Sequence, residues 1–201
     1  MVQGFAREIN QVNYSGLMFQ GFINQSSMRC LMSRFFAALL LALPFMASAA
    51  IDETIRLKES VEINAPADKV WAKAGNYADM SWHPGIAKTE MTGGKAGETG
   101  ATRTLTFKDG GSVKEVLTGF EAERMLMKYE ITEGTLPVRE YSANIRVEAA
   151  GDGKSVVTWR AMFKRKDPAS PGAAGQDDAA AKAAVEAILK SGLENLKKVS
   201  E

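Results

Sequence analysis

A single histidine, His83, occurs in the 201 residues, so any imidazole chemistry would have to be built on that one side chain. It lies in the run Trp82-His83-Pro84. A hydrolytic triad needs a positioned nucleophile, a base and an orienting acid. The chain contains no G-x-S-x-G, no H-x-E, no H-E-x-x-H and no paired-cysteine motif that would supply one or hold a zinc ion. No metal, no cofactor and no committed catalytic residue are therefore expected. Structurally, Trp82-His83-Pro84 reads as a rigid turn at the rim of a cavity. Functionally, His83 could set ligand polarity or pass one proton, because imidazole titrates near neutrality.

Glu115 is the carboxylate with the most pointed spacing. It falls between Val113 and Leu117 at strand period, so all three share one face. If that face looks inward, the charge needs a cation or must be protonated. Arg103, on a face with Leu105 and Phe107, and Arg160, on a face with Val156 and Met162, are the cations to test. The competing reading turns all three to solvent or ties them in a structural ion pair. Tyr129 (with Met125, Met127 and Ile131), Tyr141 (with Ala143, Ile145 and Val147) and Trp159 (with Val157 and Phe163) complete the cavity candidates. Such rows are ordinarily plain core. The run Lys164-Arg165-Lys166 reads as a solvated strand end, or as a contact for an acidic partner protein or a membrane surface.

These side chains need elements to hold them. Residues 53–63 alternate apolar and polar and predict a half-buried strand. Asn64-Ala65-Pro66 starts a helix, whose apolar face carries Val70, Trp71 and Ala74 and which Gly75 ends. Turn signals at Gly93-Gly94, Asp109-Gly110-Gly111, Glu133-Gly134 and Asp152-Gly153 then separate strands near 87–91 and at 102–107, 112–120, 126–131, 141–147 and 156–163. A polar loop over 164–176 leads to a long helix from Asp177 or Asp178 to about Val199, with Val185, Ile188, Leu189, Leu193 and Leu196 on one face. The expected fold is α+β: a curved antiparallel sheet of about seven strands around the C-terminal helix, with a cavity between them.

Ahead of this domain, residues 35–45 (FFAALLLALPF) form an apolar run behind Arg29 and Arg34, followed by Ala47-Ser48-Ala49. Those are the three parts of a secretory signal peptide, and the run is too short for a bilayer core of roughly 20 apolar residues. Residues 32–49 are expected to be a signal peptide cleaved near Ala49/Ala50, giving a periplasmic protein without stable membrane insertion. Residues 1–31 would be an upstream extension plus the signal n-region, with translation beginning at Met1, Met28 or Met32, and 50–201 one domain. Cleavage removes the sole cysteine, Cys30, so no disulfide or thiol chemistry is expected. Three of 25 basic and one of 24 acidic residues precede Ala50, leaving 22 and 23, a formal −1 that argues against a nucleic-acid partner.

The segment Val61-Glu62-Ile63-Asn64-Ala65-Pro66-Ala67-Asp68-Lys69-Val70-Trp71 resembles the entry motif of the START-like superfamily, also called helix-grip, SRPBCC, or polyketide cyclase/dehydrase and lipid-transport proteins. The resemblance extends over about 53–199 and implies the helix-grip fold; it specifies activity poorly, since such folds host binders, cyclases and regulators. Trp82-His83-Pro84 and Leu136-Pro137-Val138 in an exported chain are similar to MxaD-type periplasmic proteins, which implies a non-catalytic accessory to a periplasmic dehydrogenase or cytochrome. The expected function is an exported binding or accessory protein for a small hydrophobic or lipid-like ligand. The alternative is a polyketide cyclase/dehydratase-type enzyme using a cavity acid or base, Glu115, His83 or Tyr129.

Overall fold

Apolar–polar alternation at the head of the domain produces β1 (Ile55–Ile63), whose side chains alternate between exposed and half-buried. The computed structural model describes residues 52–169 and 172–201. The expected signal peptide (32–49) and the residues before it (1–31) lie outside the described residues. After β1 come α1 (Ala67–Ala74), β2 (Ile86–Gly93), β3 (Thr102–Phe107), β4 (Ser112–Glu121), a 3-10 turn at Ala122–Arg124, β5 (Leu126–Gly134), β6 (Val138–Gly151), β7 (Lys154–Arg165) and α2 (Asp178–Ser200). The strands form one antiparallel sheet in the order β1-β7-β6-β5-β4-β3-β2. The expected helix-grip α+β architecture is present.

Several strands run longer than their apolar stretches. The link between β6 and β7 is Asp152-Gly153, both with positive φ (52° and 73°). That two-residue geometry matches strand twist, so pairing continues to the turn through polar residues. Met125, expected on the face of Tyr129, instead closes the 3-10 turn with φ 47° and lies just before β5.

Helix α2 is capped by Asp177, whose Oδ1 accepts from the Ala180 amide at 2.8 Å. Its stripe of Val185, Leu189, Leu193 and Leu196 is buried against β1, β7 and α1. Arg165 corrects the solvated reading of the basic run: it is 2% exposed. It donates to Asp178 at 2.9 Å and to the carbonyls of Asp167 and Pro168, pinning the loop and the start of α2. Lys164 pairs with Glu140 at 2.7 Å, so the run is consumed locally. Among the described residues no helix is long and apolar enough to cross a membrane.

Candidate functional site

Strand register builds the polar centre. Arg103 on β3 and Glu115 on β4 are direct cross-strand partners on the inner face, twelve positions apart in sequence. Arg103 Nε donates to Glu115 Oε2 at 2.7 Å, and Nη2 lies 2.7 Å from the same oxygen. Nη1 donates to the Tyr77 carbonyl at 2.7 Å, and the guanidinium stacks over the Tyr77 ring at 4.1 Å. Arg103 is 0% and Glu115 4% exposed. Burial pushes the Glu115 pKa above the ordinary carboxylate range while Arg103 pulls it back. Arg103 thus gives the ionised form of Glu115 a cation within hydrogen-bond reach. A β-bulge beside Glu115 in the β4–β5 pairing helps to aim it. Arg160, the other cation considered, is exposed on the opposite face of the sheet and plays no part here.

Glu115 forms the floor of an apolar cavity with Val113, Ile131, Tyr129, Tyr141 and Trp159. The cavity is only about 30 Å³, room for about one water molecule. The space expected between sheet and helix is thus largely filled by core side chains. Beyond it lies a surface recess of about 390 Å³ bounded by Gly85, Lys108, Asp109, Ala184, Ala187 and Ser191. His83, Phe107, Leu136 and Ile188 line both spaces and stand between them. Arg103 does not line the cavity but sits behind Glu115. Trp82, expected as a lining residue, does not reach it: its ring packs 5.8 Å from Trp159, and its carbonyl accepts from Asn195 at 2.7 Å.

The phenols and the indole are held in one network. Trp159 Nε1 donates to the Tyr129 hydroxyl at 3.0 Å diagonally across β6, where Ala143 is the partner of Tyr129 and Ile145 that of Trp159. Tyr141 stacks on Phe163, ring centres 6.0 Å apart. Burial raises the pKa of both Tyr129 and Tyr141, so they remain neutral hydrogen-bonding groups.

His83 is fixed in one tautomer. Nδ1 accepts from the Gly85 amide at 3.1 Å, so the proton sits on Nε2, which donates to the Ile188 carbonyl at 3.0 Å. Burial depresses its pKa, with the carbonyl contact opposing. A depressed folded pKa gives stability that is complete above the unfolded imidazole value of about 6.5 and is lost as pH falls through the folded value. Glu115, whose pKa is raised, contributes a slope of opposite sign, so the share of His83, the chain's one histidine, is read as a difference between variants. In denaturant unfolding between about pH 5 and 7, the slopes of the parent and His83→Gln should differ by up to about 1.4 kcal/mol per pH unit, the parent losing more stability toward acid.

Gly192 on α2 lets the helix approach this cluster. A Cβ there would lie 2.6 Å from His83 Cδ2 and 2.8 Å from Trp159 Cζ3, both on rings packed in place. Alanine normally favours a helix by about 1 kcal/mol over glycine, but overpacking costs about 1–3 kcal/mol. Gly192→Ala is expected to lose up to about 2 kcal/mol net, read from the urea midpoint at unchanged m-value. A stabilised variant would show that the rings yield.

Sequence reasoning missed Tyr77, Ile188 as a cavity wall, Gly192 and Asn195. Tyr77 follows α1 in an irregular segment, where periodicity carries no information about direction. Gly192 had one available signal, a glycine inside an otherwise strong helical stripe.

Comparison with known proteins agrees with this geometry. The family model for polyketide cyclase / dehydrase and lipid transport matches residues 54–201. No functionally curated protein matches the chain. A solved structure of an uncharacterised protein from Bacillus thuringiensis is similar at 26% identity and TM-score 0.62, covering 73% of this chain and 98% of that one. The protein XoxI from Bacillus cereus is similar at 25% identity and TM-score 0.61, covering 72% and 94%. A Nitrosospira multiformis protein at 21% identity and TM-score 0.61, covering 73% and 97%, shares the fold. With the sheet gripping α2 and the match spanning residues 54–201, this chain belongs to the polyketide cyclase / dehydrase and lipid transport family.

Proposed function

We propose that the chain is an exported, non-catalytic binding protein that takes a small apolar or lipid-like ligand between α2 and the sheet. One observation carries this reading: the recess beside α2 is separated from a cavity floored by Glu115 only by His83 and three apolar side chains. Its volume, about 390 Å³, lies in the range of small-molecule sites, about 300–1,000 Å³. A ligand would rest its apolar body on Phe107, Leu136 and Ile188, and moving these would extend the site toward Glu115. Export is supported by the apolar run 35–45 and the Ala47-Ser48-Ala49 pattern. Assistance to a periplasmic dehydrogenase rests on the likeness to MxaD-type proteins. Native mass spectrometry of protein purified from the periplasm should find a co-purified apolar ligand. Protein that is empty, and that retains no apolar compound offered to it, would overturn the binding role.

A second reading has one observation in its favour. Glu115 is a carboxyl of raised pKa lining a cavity, the property a general acid–base step uses. Glu115→Gln separates the two, since glutamine preserves size and an acceptor for Arg103. A binder keeps its ligand in that variant, whereas an enzyme loses turnover with binding intact.

A further inference from the structure

We propose that the outer face of the sheet, across β1, β7, β6 and β5, binds an extended acidic segment of a partner protein. Pairing register places Lys58, Arg160, Asn144 and Lys128 in one row, each the direct partner of the next. The row spans three strand spacings, about 14 Å at ~4.8 Å each. Like charges directly opposite one another destabilise a sheet, yet Lys58 and Arg160 are such a pair. Among the described residues neither is in an ion pair. Of the neighbouring carboxylates, Glu62 pairs with Lys154 at 3.0 Å and Glu148 with Arg146 at 3.1 Å, away from the row, whereas Glu121 pairs with Arg124 at 2.7 Å and with Lys128 of the row at 2.9 Å, so Lys58 and Arg160 are the row's free cations among the described residues.

The row crosses a groove of about 460 Å³. Arg56 adds a further cation to its wall, Glu130 is its one carboxylate, and Ser142 and Asn144 supply neutral polar groups. Met162, also in the wall, is 44% exposed, one of only two large hydrophobics so exposed among the described residues. This combination fits an extended chain whose carboxylates, two residues and about 7 Å apart, meet Arg56 and Lys58 at the same spacing along β1 and Arg160 beside them, while an apolar side chain covers Met162. A single small oxyanion would engage only part of a row this long. A nucleic acid would find no supporting field on a domain with 22 basic and 23 acidic residues after Ala49.

The test uses a short fluorescein-labelled peptide alternating glutamate and leucine, followed by fluorescence anisotropy at low and high salt. The intact protein should bind it, and binding should weaken with salt. The double variant Lys58→Glu/Arg160→Glu should bind about tenfold more weakly or worse. Lys69→Glu/Lys95→Glu, with the same change in net charge on other surfaces, should bind as the parent does. The melting temperature of Lys58→Glu alone should not fall, since it exchanges a like-charge neighbour for an opposite one. No binding by the parent, or equal loss in both double variants, would overturn the proposal. So would binding to anionic phosphatidylserine vesicles that depends on Lys58 and Arg160 while the peptide does not bind.

Discussion

Arg103→Met is expected to cost about 3–5 kcal/mol of folding stability at neutral pH. The substitution leaves the Glu115 carboxylate buried with no cation, and removes the donor to the Tyr77 carbonyl. The loss should shrink as pH falls. Without Arg103 the folded pKa of Glu115 rises further above its unfolded value, so the folded state binds more protons and gains on the unfolded state in acid. Glu115→Leu behaves differently. It strands the Arg103 guanidinium without a counter-ion, so its loss should be as large, and it should grow rather than shrink as pH falls, because the parent keeps the acid gain of its raised Glu115 pKa and this variant does not. The double variant should recover most of the stability, because hydrophobic replacement of a buried pair is often neutral or better. It should remain short by about 1 kcal/mol for the lost Tyr77 hydrogen bond. Urea unfolding of the four proteins at about pH 5 and 7 closes the cycle; additive losses would refute the coupling.

The second large effect is expected at Trp159, which is 1% exposed and joins the helix, the cavity and the phenol network. Trp159→Ala should cost about 3–5 kcal/mol, the range for emptying a buried aromatic site. The Tyr129 hydroxyl loses its indole donor, and the edge of His83 loses the ring it meets at 90°. The vacated space adjoins the existing cavity, so the variant should bind benzene and gain melting temperature from it, as apolar cavities of this kind do. Trp159→Phe should lose far less, mainly the hydrogen bond, about 1 kcal/mol. A Trp159→Ala protein no less stable than Trp159→Phe would show that the ring is not packed as described.

The elements were legible in the sequence wherever side-chain period matched burial. Residues 53–63 alternate and form β1; Val185, Leu189, Leu193 and Leu196 recur at helical spacing and form the buried stripe of α2. Period also put Glu115 on one face with Val113 and Leu117, and the structure turns that face inward. What period could not supply was register. That Arg103 rather than Arg160 meets Glu115 follows from the β3–β4 pairing, which the sequence expresses only through turn length. Trp82 shows another limit. An aromatic beside the histidine looked like cavity wall, but consecutive residues in a turn point apart, and only His83 faces the cavity. How full the interior would be was likewise hidden, because core and cavity walls draw on the same residue types.

The binding account is tested most directly at the recess beside α2. Ala184 lines it and is only half-buried, so Ala184→Trp can plug the space at little cost to folding. The measurement is titration with N-phenyl-1-naphthylamine, an apolar fluorophore, monitored by its emission. The parent protein should bind and enhance the probe, and Ala184→Trp should bind it at least about tenfold more weakly, a difference of about 1.4 kcal/mol, with its melting temperature preserved. Equal binding by the plugged variant, or none by the parent, would contradict the assignment of this recess as the ligand site.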